Sequence, residues 1–152
     1  MKINIKKLIL SIIIPLGLGA IVGFITSPSS SYNDMIQPSF APPSILFPIV
    51  WSILYVLMGI SNYRIVEIEG KKTEANKIYG IQLFINLIWS FLFFTFKWYF
   101  ISFLWILLLI VFVSTMIYKF YKIDKFSAYL QIPYLIWICF ASVLNLFIFI
   151  LN

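Results

Sequence analysis

The residue types that acid–base, nucleophilic or metal chemistry needs are scarce in this chain of 152 residues. It has no histidine, its single cysteine is Cys139, and its five acidic residues all lie in or beside the connections between apolar segments. Histidine and paired carboxylates are the usual general acids, general bases and metal ligands, and ion-coupled transporters place titratable groups inside the membrane. We therefore expect no conventional catalytic site, no metal centre, no required cofactor and no proton-coupled transport.

The side chains that could bind a ligand are aromatic rings and amides, which recur at helical spacing within the apolar segments. Steps of three and four residues place side chains on one face of a helix. Asn86 and Asn145 should point inward, because an amide that faces hydrocarbon is costly unless it has a partner. Their neighbours on the same faces would then form an aromatic cavity with a few hydrogen-bonding groups. The three stripes are Trp51, Tyr55 and Met58; Gln82, Asn86, Trp89 and Phe93; and Pro133, Trp137, Ala141 and Asn145.

A plainer interpretation of these stripes stays open. Aromatic side chains in membrane helices often anchor at the interface, and buried amides often only join helices. Trp98 and Tyr99, beside Lys97, fit interface anchors best. For Trp51 and Trp137, anchoring and ligand binding are both compatible with the sequence.

The elements that would position these residues follow from composition. Hydrophobic residues make up 62% of the chain and charged residues 11%, with a mean hydropathy of +1.03. A soluble domain is about 45–50% apolar and about 25% charged, so most side chains here must face lipid. Each continuous apolar run is near the length of about 20 residues that a membrane-crossing helix needs, and a β-barrel would show short alternating segments instead. We predict an all-α integral membrane protein, a single domain over residues 1–152, with five transmembrane helices at residues 8–26, 46–65, 78–96, 100–118 and 129–151.

The basic residues predict an orientation. On one side of the membrane, Lys97 is the only basic residue of the predicted connections. The other ten lie at the amino end and in the second and fourth connections, and they are Lys2, Lys6, Lys7, Arg64, Lys71, Lys72, Lys77, Lys119, Lys122 and Lys125. The positive-inside rule then places the amino terminus in the cytoplasm, and the carboxyl terminus and first loop outside the plasma membrane. Such clusters between apolar runs do not indicate nucleic-acid binding.

Two features of the amino-terminal region complete the prediction. Lysines before the first apolar run resemble a signal peptide, but the run is longer than a signal core and lacks an A-x-A site, so we expect a retained helix. The first connection, residues 27–43, is polar at its start and then rich in proline and aromatic residues. Because prolines restrict backbone torsions, we predict that this long loop is a stiff lid rather than a simple linker.

Three stretches of sequence resemble a known family. Together with five spans and a long first loop, they are similar to the tryptophan-rich sensory protein/translocator protein family, which includes the mitochondrial peripheral benzodiazepine receptor. The stretches are Pro38-Ser39-Phe40-Ala41-Pro42-Pro43 with Phe47, Val50-Trp51, Leu54-Tyr55 and Met58-Gly59; Tyr79-Gly80, Gln82-Leu83, Asn86, Trp89 and Phe93-Phe94; and Pro133-Tyr134-Leu135, Trp137, Phe140-Ala141 and Leu144-Asn145.

The resemblance implies a five-helix bundle, often dimeric, with a pocket under the first loop for porphyrins such as protoporphyrin IX. It implies that Trp51 and Trp137 flank the ligand and that Asn86 makes a polar contact. Tyr32 and Pro42 would close the top. The other candidate ligand-binding residues are Phe47, Tyr55, Trp89, Phe93, Phe140, Ala141 and Leu144. Gly19 and Gly23 form a GxxxG pair that would permit close helix packing or a homodimer.

Three functions are compatible with that resemblance. The first is a membrane receptor or sensor for porphyrins and related flat hydrophobic molecules, because stacked tryptophans match a flat apolar ring. Without histidine the pocket offers little axial ligation, so a metal-free porphyrin fits better than haem. The second is light-dependent degradation of protoporphyrin IX, with Trp51 and Trp137 as the catalytic residues. The third is transport of porphyrin or lipid-like molecules, for which no coupling residue is visible.

Overall fold

The computed structural model describes residues 2–152, apart from the side chain of Ser29, and this part of the chain is helical with no strand. One π-helical turn, Phe91–Thr95, directly follows the helix that ends at Ser90. The α-helices are α1 (Ile5–Thr26), α2 (Pro28–Asn33), α3 (Leu46–Glu69), α4 (Glu74–Ser90), α5 (Tyr99–Ile123), α6 (Lys125–Leu130) and α7 (Ile132–Leu151).

The described residues contain five helical segments that are long and apolar enough to cross a membrane. They are Ile5–Thr26, Leu46–Glu69, Glu74–Thr95, Tyr99–Ile123 and Lys125–Leu151. The predicted all-α class and the five spans are therefore confirmed. Several helices continue beyond the predicted limits; α3 ends at Glu69 rather than at residue 65, and α5 at Ile123 rather than at residue 118. Hydropathy detects only the part of a helix that lies in lipid, whereas backbone hydrogen bonding continues into the polar flanks.

The spans form a bundle in which each helix has particular neighbours. Helix α1 packs between α3 and α4, and α5 packs between α4 and α7. The short α6 joins the fifth span to α3 and α5. The backbones of α3 and α7 approach each other less closely than those of α3 and α1. Apolar packing at the centre of the bundle comes from side chains such as Met58, Ile106, Val113, Met116 and Ile138, which are fully buried.

Two glycines account for the close packing of α1 on α3. A Cβ atom at Gly59 would lie 2.5 Å from Ile12 Cα, so only glycine fits there. The Ser11 hydroxyl donates a 2.7 Å hydrogen bond to the Gly59 carbonyl oxygen across the same contact. Gly19 is pressed against the Tyr55 ring of the same chain. Gly23, by contrast, has no atom within 4 Å of the position of a Cβ, so the two glycines of the GxxxG pair have different surroundings.

One end of the bundle, which we call the basic end, carries ion pairs between neighbouring segments. Lys7 lies 3.7 Å from Glu67, and Lys119 lies 3.1 Å from Glu74. These pairs bring the amino end and the second and fourth connections together, where the sequence has its basic residues. The opposite end carries the first connection, and we call it the lid end.

The pair Arg64–Asp124 is the best-formed ion pair of the basic end. Arg64 donates from Nε to Asp124 Oδ2 at 2.7 Å and from the terminal nitrogen to Oδ1 at 3.3 Å. Asp124 also caps α6, accepting hydrogen bonds from the Ser127 hydroxyl and backbone N–H. The hydrogen bond from Arg64 is the main reason that the pKa of Asp124 lies below its ordinary value, with Ser127 adding to the effect against the opposing influence of burial.

Candidate ligand-binding site

The first connection folds over the lid end and is fastened from within. The Tyr32 hydroxyl donates a 2.8 Å hydrogen bond to the Pro42 carbonyl oxygen, and Gln37 donates a 2.8 Å bond to the Tyr32 carbonyl oxygen. The Tyr32 ring is buried edge-on against Phe47, with centroids 4.8 Å apart. Burial raises the pKa of Tyr32 to about 12. The loop is thus the folded cover that its prolines predict.

A second attachment fastens the lid to α7. The Asn152 side chain accepts a 3.1 Å hydrogen bond from the Ile36 N–H and donates a 2.8 Å bond to the Ile36 carbonyl oxygen. Phe40 packs edge-on against Phe147 at 5.2 Å and against Phe140 at 6.4 Å. The lid therefore lies along the outer part of α7, with its backbone hydrogen bonds partly satisfied by that helix.

Beneath the lid, a first cavity opens between α1 and α3, which we call the α1–α3 cavity. Its volume is about 390 Å³. The Trp51 ring stacks on Tyr55 at a centroid distance of 5.6 Å and gives the cavity a flat wall. The lining residues are Leu16, Gly19, Ala20, Val22, Gly23, Pro28, Phe47, Pro48, Trp51, Ser52, Tyr55, Ser90 and Phe94.

A second, more open space lies between α3 and α7, and we call it the α3–α7 groove. Its volume is about 640 Å³. The Trp137 indole N–H is buried there and has no hydrogen-bond partner among the described residues. The groove is otherwise almost wholly apolar, and its lining residues are Pro42, Leu46, Val50, Ile53, Leu54, Pro133, Ile136, Trp137 and Phe140.

A row of aromatic rings, formed by Phe47, Trp51, Tyr134 and Trp137, lies between the α1–α3 cavity and the α3–α7 groove. Phe47 lies 5.8 Å from Trp137, and Trp51 lies 6.2 Å from Tyr134, both with edge-on geometry. Trp51 and Trp137 therefore line different spaces on the two sides of this aromatic row. The resemblance implies that they flank one ligand, whereas in this structure they line different spaces, and Phe47 lies beside Trp137.

Behind the cavity lies a buried chain of hydrogen bonds between neutral side chains. The Tyr55 hydroxyl donates to Asn86 Oδ1 at 2.8 Å, and Asn86 Nδ2 donates to the Tyr134 hydroxyl oxygen at 2.7 Å. The Tyr134 hydroxyl in turn donates to Gln82 Oε1 at 2.7 Å. Asn86 thus makes its polar contacts within the bundle, and this chain links α3, α4 and α7 at membrane depth, where unpaired polar groups are expensive.

A second set of hydrogen bonds, nearer the lid end, links α4, α7 and the start of α5. Trp89 Nε1 donates a 3.1 Å hydrogen bond to Asn145 Oδ1, and Asn145 Nδ2 donates a 2.8 Å bond to the Tyr99 carbonyl oxygen. Phe93 stacks on Trp89 with centroids 4.9 Å apart. Trp89 and Phe93 therefore lie in the packed interior between α4, α5 and α7.

The structure divides the predicted site residues among four places. Tyr32 fastens the lid. The α1–α3 cavity is lined by Phe47, Trp51 and Tyr55, and the α3–α7 groove by Pro42, Trp137 and Phe140. The buried interior, outside the walls of both spaces, holds Asn86, Trp89, Phe93, Ala141 and Leu144.

The inward stripe of the third span is confirmed, whereas that of the fifth is partly wrong. Gln82, Asn86, Trp89 and Phe93 are all at most 6% exposed, but Pro133 is exposed and Trp137 only half-buried. Successive steps of four residues rotate about 40° each around a helix, whereas mixed steps of three and four stay on one face. The inward face of α7 is instead formed by Tyr134, Ile138, Ala141, Asn145 and Ile148.

Sequence reasoning missed the wall that α1 contributes and the central position of Tyr134. Small residues at Gly19, Ala20 and Gly23 were the available signal for α1, since they leave space where larger side chains would fill it. Tyr134, Ile138 and Ala141 follow one another at steps of four and three residues, which keep them on the inward face of α7. The sequence prediction followed the steps of four from Pro133 instead and so missed this pattern.

Comparisons with known proteins agree over nearly the whole chain. The model of the TspO/MBR family matches residues 11–151. A tryptophan-rich protein TspO from Archaeoglobus fulgidus is 37% identical over 98% of this chain and 99% of its own length. One from Chlorobaculum tepidum is 36% identical over 97% of this chain and 99% of its own length. A tryptophan-rich sensory protein from Cereibacter sphaeroides is 30% identical over 91% of this chain and 87% of its own length.

Proposed function

The chain belongs to the TspO/MBR family, and we propose that it is a membrane receptor or sensor that binds protoporphyrin IX and related flat hydrophobic ligands. The observation that carries this proposal is the α1–α3 cavity, walled by the stacked rings of Trp51 and Tyr55, together with the more open α3–α7 groove that Trp137 and Phe140 line. Their volumes, about 390 and 640 Å³, lie within the range of about 300–1,000 Å³ that is usual for small-molecule sites.

The chemistry of the walls favours a flat apolar ligand with few polar groups. Half-buried indole rings at Trp51 and Trp137 offer faces on which a macrocycle could stack. The name tryptophan-rich sensory protein belongs to the relative from Cereibacter sphaeroides and supports a sensory role here.

A titration of the purified protein with protoporphyrin IX, prepared in the dark and read with brief, weak excitation of the porphyrin fluorescence, tests the proposal. Loss of one aromatic stacking pair costs about 0.5–1.5 kcal/mol, so Trp51→Leu should weaken binding in the α1–α3 cavity, and Trp137→Leu binding in the α3–α7 groove, each about 2- to 13-fold. Trp98→Leu is the matched control, because Trp98 is exposed outside both spaces. Unchanged affinity in the Trp51→Leu, Trp137→Leu double variant would reject this site.

We also propose that the protein lies in the plasma membrane with its amino terminus in the cytoplasm. The clustering of lysines at the basic end supports this orientation through the positive-inside rule. The test uses a Cys139→Ser background with one new cysteine, at Ser39 in the lid or at Lys72 near the basic end. An impermeant maleimide added to whole cells should label Ser39→Cys and spare Lys72→Cys, and the reverse pattern would invert the assignment.

Light-dependent degradation of the bound porphyrin is a second candidate, favoured by one contact. Trp51 stacks on Tyr55 and meets Tyr134 edge-on, so an indole beside the ligand adjoins two phenols that could share a photochemical reaction. Illumination should bleach the porphyrin faster with the protein than in protein-free micelles. Trp51→Phe and Trp137→Phe should retain most of the binding and lose this acceleration. Equal bleaching rates with and without protein would leave binding alone as the function.

A further inference from the structure

A group of buried polar atoms near the basic end has no hydrogen-bond partner among the described residues. Gln82 and Gln131 are both 0% exposed, and Tyr79 is 6% exposed. Buried polar groups are almost always paired, and at membrane depth an unpaired one costs more than in a soluble core. The atoms are Asn62 Oδ1, Tyr79 OH, Gln82 Nε2, Gln131 Nε2 and Gln131 Oε1.

The helix register brings these atoms to one level of the bundle. Gln82 on α4 meets Tyr134 on α7, and the two helices run in the same direction. Tyr79 precedes Gln82 by three residues, and Gln131 precedes Tyr134 by three residues. Tyr79 and Gln131 therefore lie one turn closer to the basic end, on the same faces as Gln82 and Tyr134.

The third contributor comes from α3, which runs in the opposite direction. Tyr55 of α3 bonds Asn86 of α4. Asn62 follows Tyr55 by seven residues, and Tyr79 precedes Asn86 by seven residues. Because the two helices run in opposite directions, both Asn62 and Tyr79 lie two turns closer to the basic end than their hydrogen-bonded neighbours. Helix register therefore places Asn62, which is half-buried, at one level with Tyr79, Gln82 and Gln131 between α3, α4 and the start of α7, and we call these four residues the inner polar cluster.

The chemistry of the inner polar cluster selects its ligand. Gln82 and Gln131 present amide N–H donors, while Asn62 and Gln131 present carbonyl acceptors, and the Tyr79 hydroxyl can do either. The cluster contains no charged side chain, and the nearby Arg64 and Asp124 satisfy each other. Amide N–H groups disfavour a cation, and the lack of a positive side chain within the cluster disfavours an anion. A neutral ligand that both donates and accepts fits the set.

We propose that the inner polar cluster is a hydration site that binds one or two ordered water molecules. A buried water usually makes about three hydrogen bonds, and the five atoms supply enough partners for that number. The bound water continues the chain Tyr55–Asn86–Tyr134–Gln82 towards Asn62 and Gln131. A hydrogen-bonded path then runs from the wall of the α1–α3 cavity into the half of the bundle near the basic end. This site is independent of whether the protein binds porphyrins.

Glutamine-selective labelling offers a direct test, because the chain has only three glutamines, Gln37, Gln82 and Gln131. In side-chain ¹⁵N-labelled protein in perdeuterated lipid nanodiscs, we expect water-to-amide Overhauser transfer at both Gln82 and Gln131. Gln37, in the lid, is the positive control for contact with bulk solvent. Gln82→Leu and Gln131→Leu assign the signals. Transfer at Gln37 with none at Gln82 and Gln131 would overturn the proposal.

Thermal unfolding of Gln131→Leu gives an independent readout. If water joins the cluster, leucine removes one of its partners, so the melting temperature falls and the water transfer at Gln82 weakens. If the Gln131 amide is simply unpaired in a dry core, leucine removes an unpaired group and the melting temperature rises. A rise with no change at Gln82 would therefore contradict the proposal, and Gln37→Leu serves as the matched control in the lid.

Discussion

At the scale of single residues, neutral hydroxyls and amides organise the interior of the spans, and the best-formed charge pair stands at the basic end. Tyr134 is the centre of the buried chain, since its hydroxyl accepts from Asn86 and donates to Gln82. Its ring also closes the aromatic row beside Trp51. The Tyr134 side chain therefore joins Trp51, which lines the α1–α3 cavity, to the hydrogen bonds that link α4 and α7.

Tyr134→Phe should destabilise the protein by about 1–2 kcal/mol, because it removes two hydrogen bonds and leaves the Asn86 and Gln82 partners buried. Thermal unfolding in detergent measures the loss. Tyr129→Phe is the matched control, since Tyr129 is 56% exposed and should tolerate the change. Equal melting temperatures for the two variants would show that the chain adds no stability.

Asp124 gives the protein a predictable response to acid. Its pKa is lower in the folded protein than the ordinary value, chiefly through Arg64, so the folded state favours the carboxylate. The resulting stability is complete above the ordinary aspartate pKa of about 3.9 and is lost as the pH falls through the lowered value. Asp124→Asn should lower the melting temperature at pH 7 and flatten its decline below about pH 4. An unchanged decline would assign the acid response to other groups.

At the scale of the helices, the contact between α1 and α3 depends on the absence of side chains. Membrane helices associate without a hydrophobic driving force, so close backbone approach and dispersion contacts matter most. Gly59 supplies that approach, and the Ser11 hydroxyl adds a hydrogen bond to its carbonyl oxygen. Because Gly19 faces Tyr55 nearby, the same contact positions one wall of the α1–α3 cavity.

Gly59→Ala should cost about 1–3 kcal/mol, since the new methyl group would meet the backbone of Ile12 and α1 would have to move away. Gly80→Ala is the matched control, because a Cβ there meets nothing within 4 Å and alanine favours the helix by about 0.5–1 kcal/mol. Melting temperatures of both variants give the comparison. A loss of stability in Gly80→Ala as large as that in Gly59→Ala would contradict the packing argument.

At the scale of the whole molecule, the lid is a separate layer fastened at two places. Tyr32 bonds the loop to itself at Pro42, and Asn152 bonds it to the end of α7. Pro42 also lines the α3–α7 groove, and Phe47, at the start of α3, is packed under Tyr32. A movement of the lid should therefore also shift the aromatic row.

Tyr32→Phe should loosen the lid while leaving its aromatic packing in place. Loss of one hydrogen bond worth about 0.5–1.5 kcal/mol should raise the amide exchange rates of residues 34–42 about 2- to 13-fold. Hydrogen–deuterium exchange followed by mass spectrometry measures this, with Tyr118→Phe as the exposed control. Exchange that is unchanged in the lid would show that the second attachment alone holds it.

The five spans, the inward face of the third span and the folded lid could all be predicted from the chain. Lipid requires long apolar helices, and the helical period assigns faces within one helix. Both rules are local, so they need no knowledge of neighbouring elements. The steps of four failed at Pro133 because each step turns about 40° around the helix, so Pro133 and Asn145 lie about 120° apart on α7, and Pro133 is exposed.

Only the tertiary structure decided which residues share a space. Trp51 and Trp137 resemble a pair in sequence, yet the ring of Phe47 stands beside Trp137, and the two indoles line different spaces. The wall from α1 depends on how closely α1 approaches α3, and the central place of Tyr134 depends on how α3, α4 and α7 meet. Distances between helices arise from many side chains acting together across the bundle, whereas a sequence pattern describes one helix at a time.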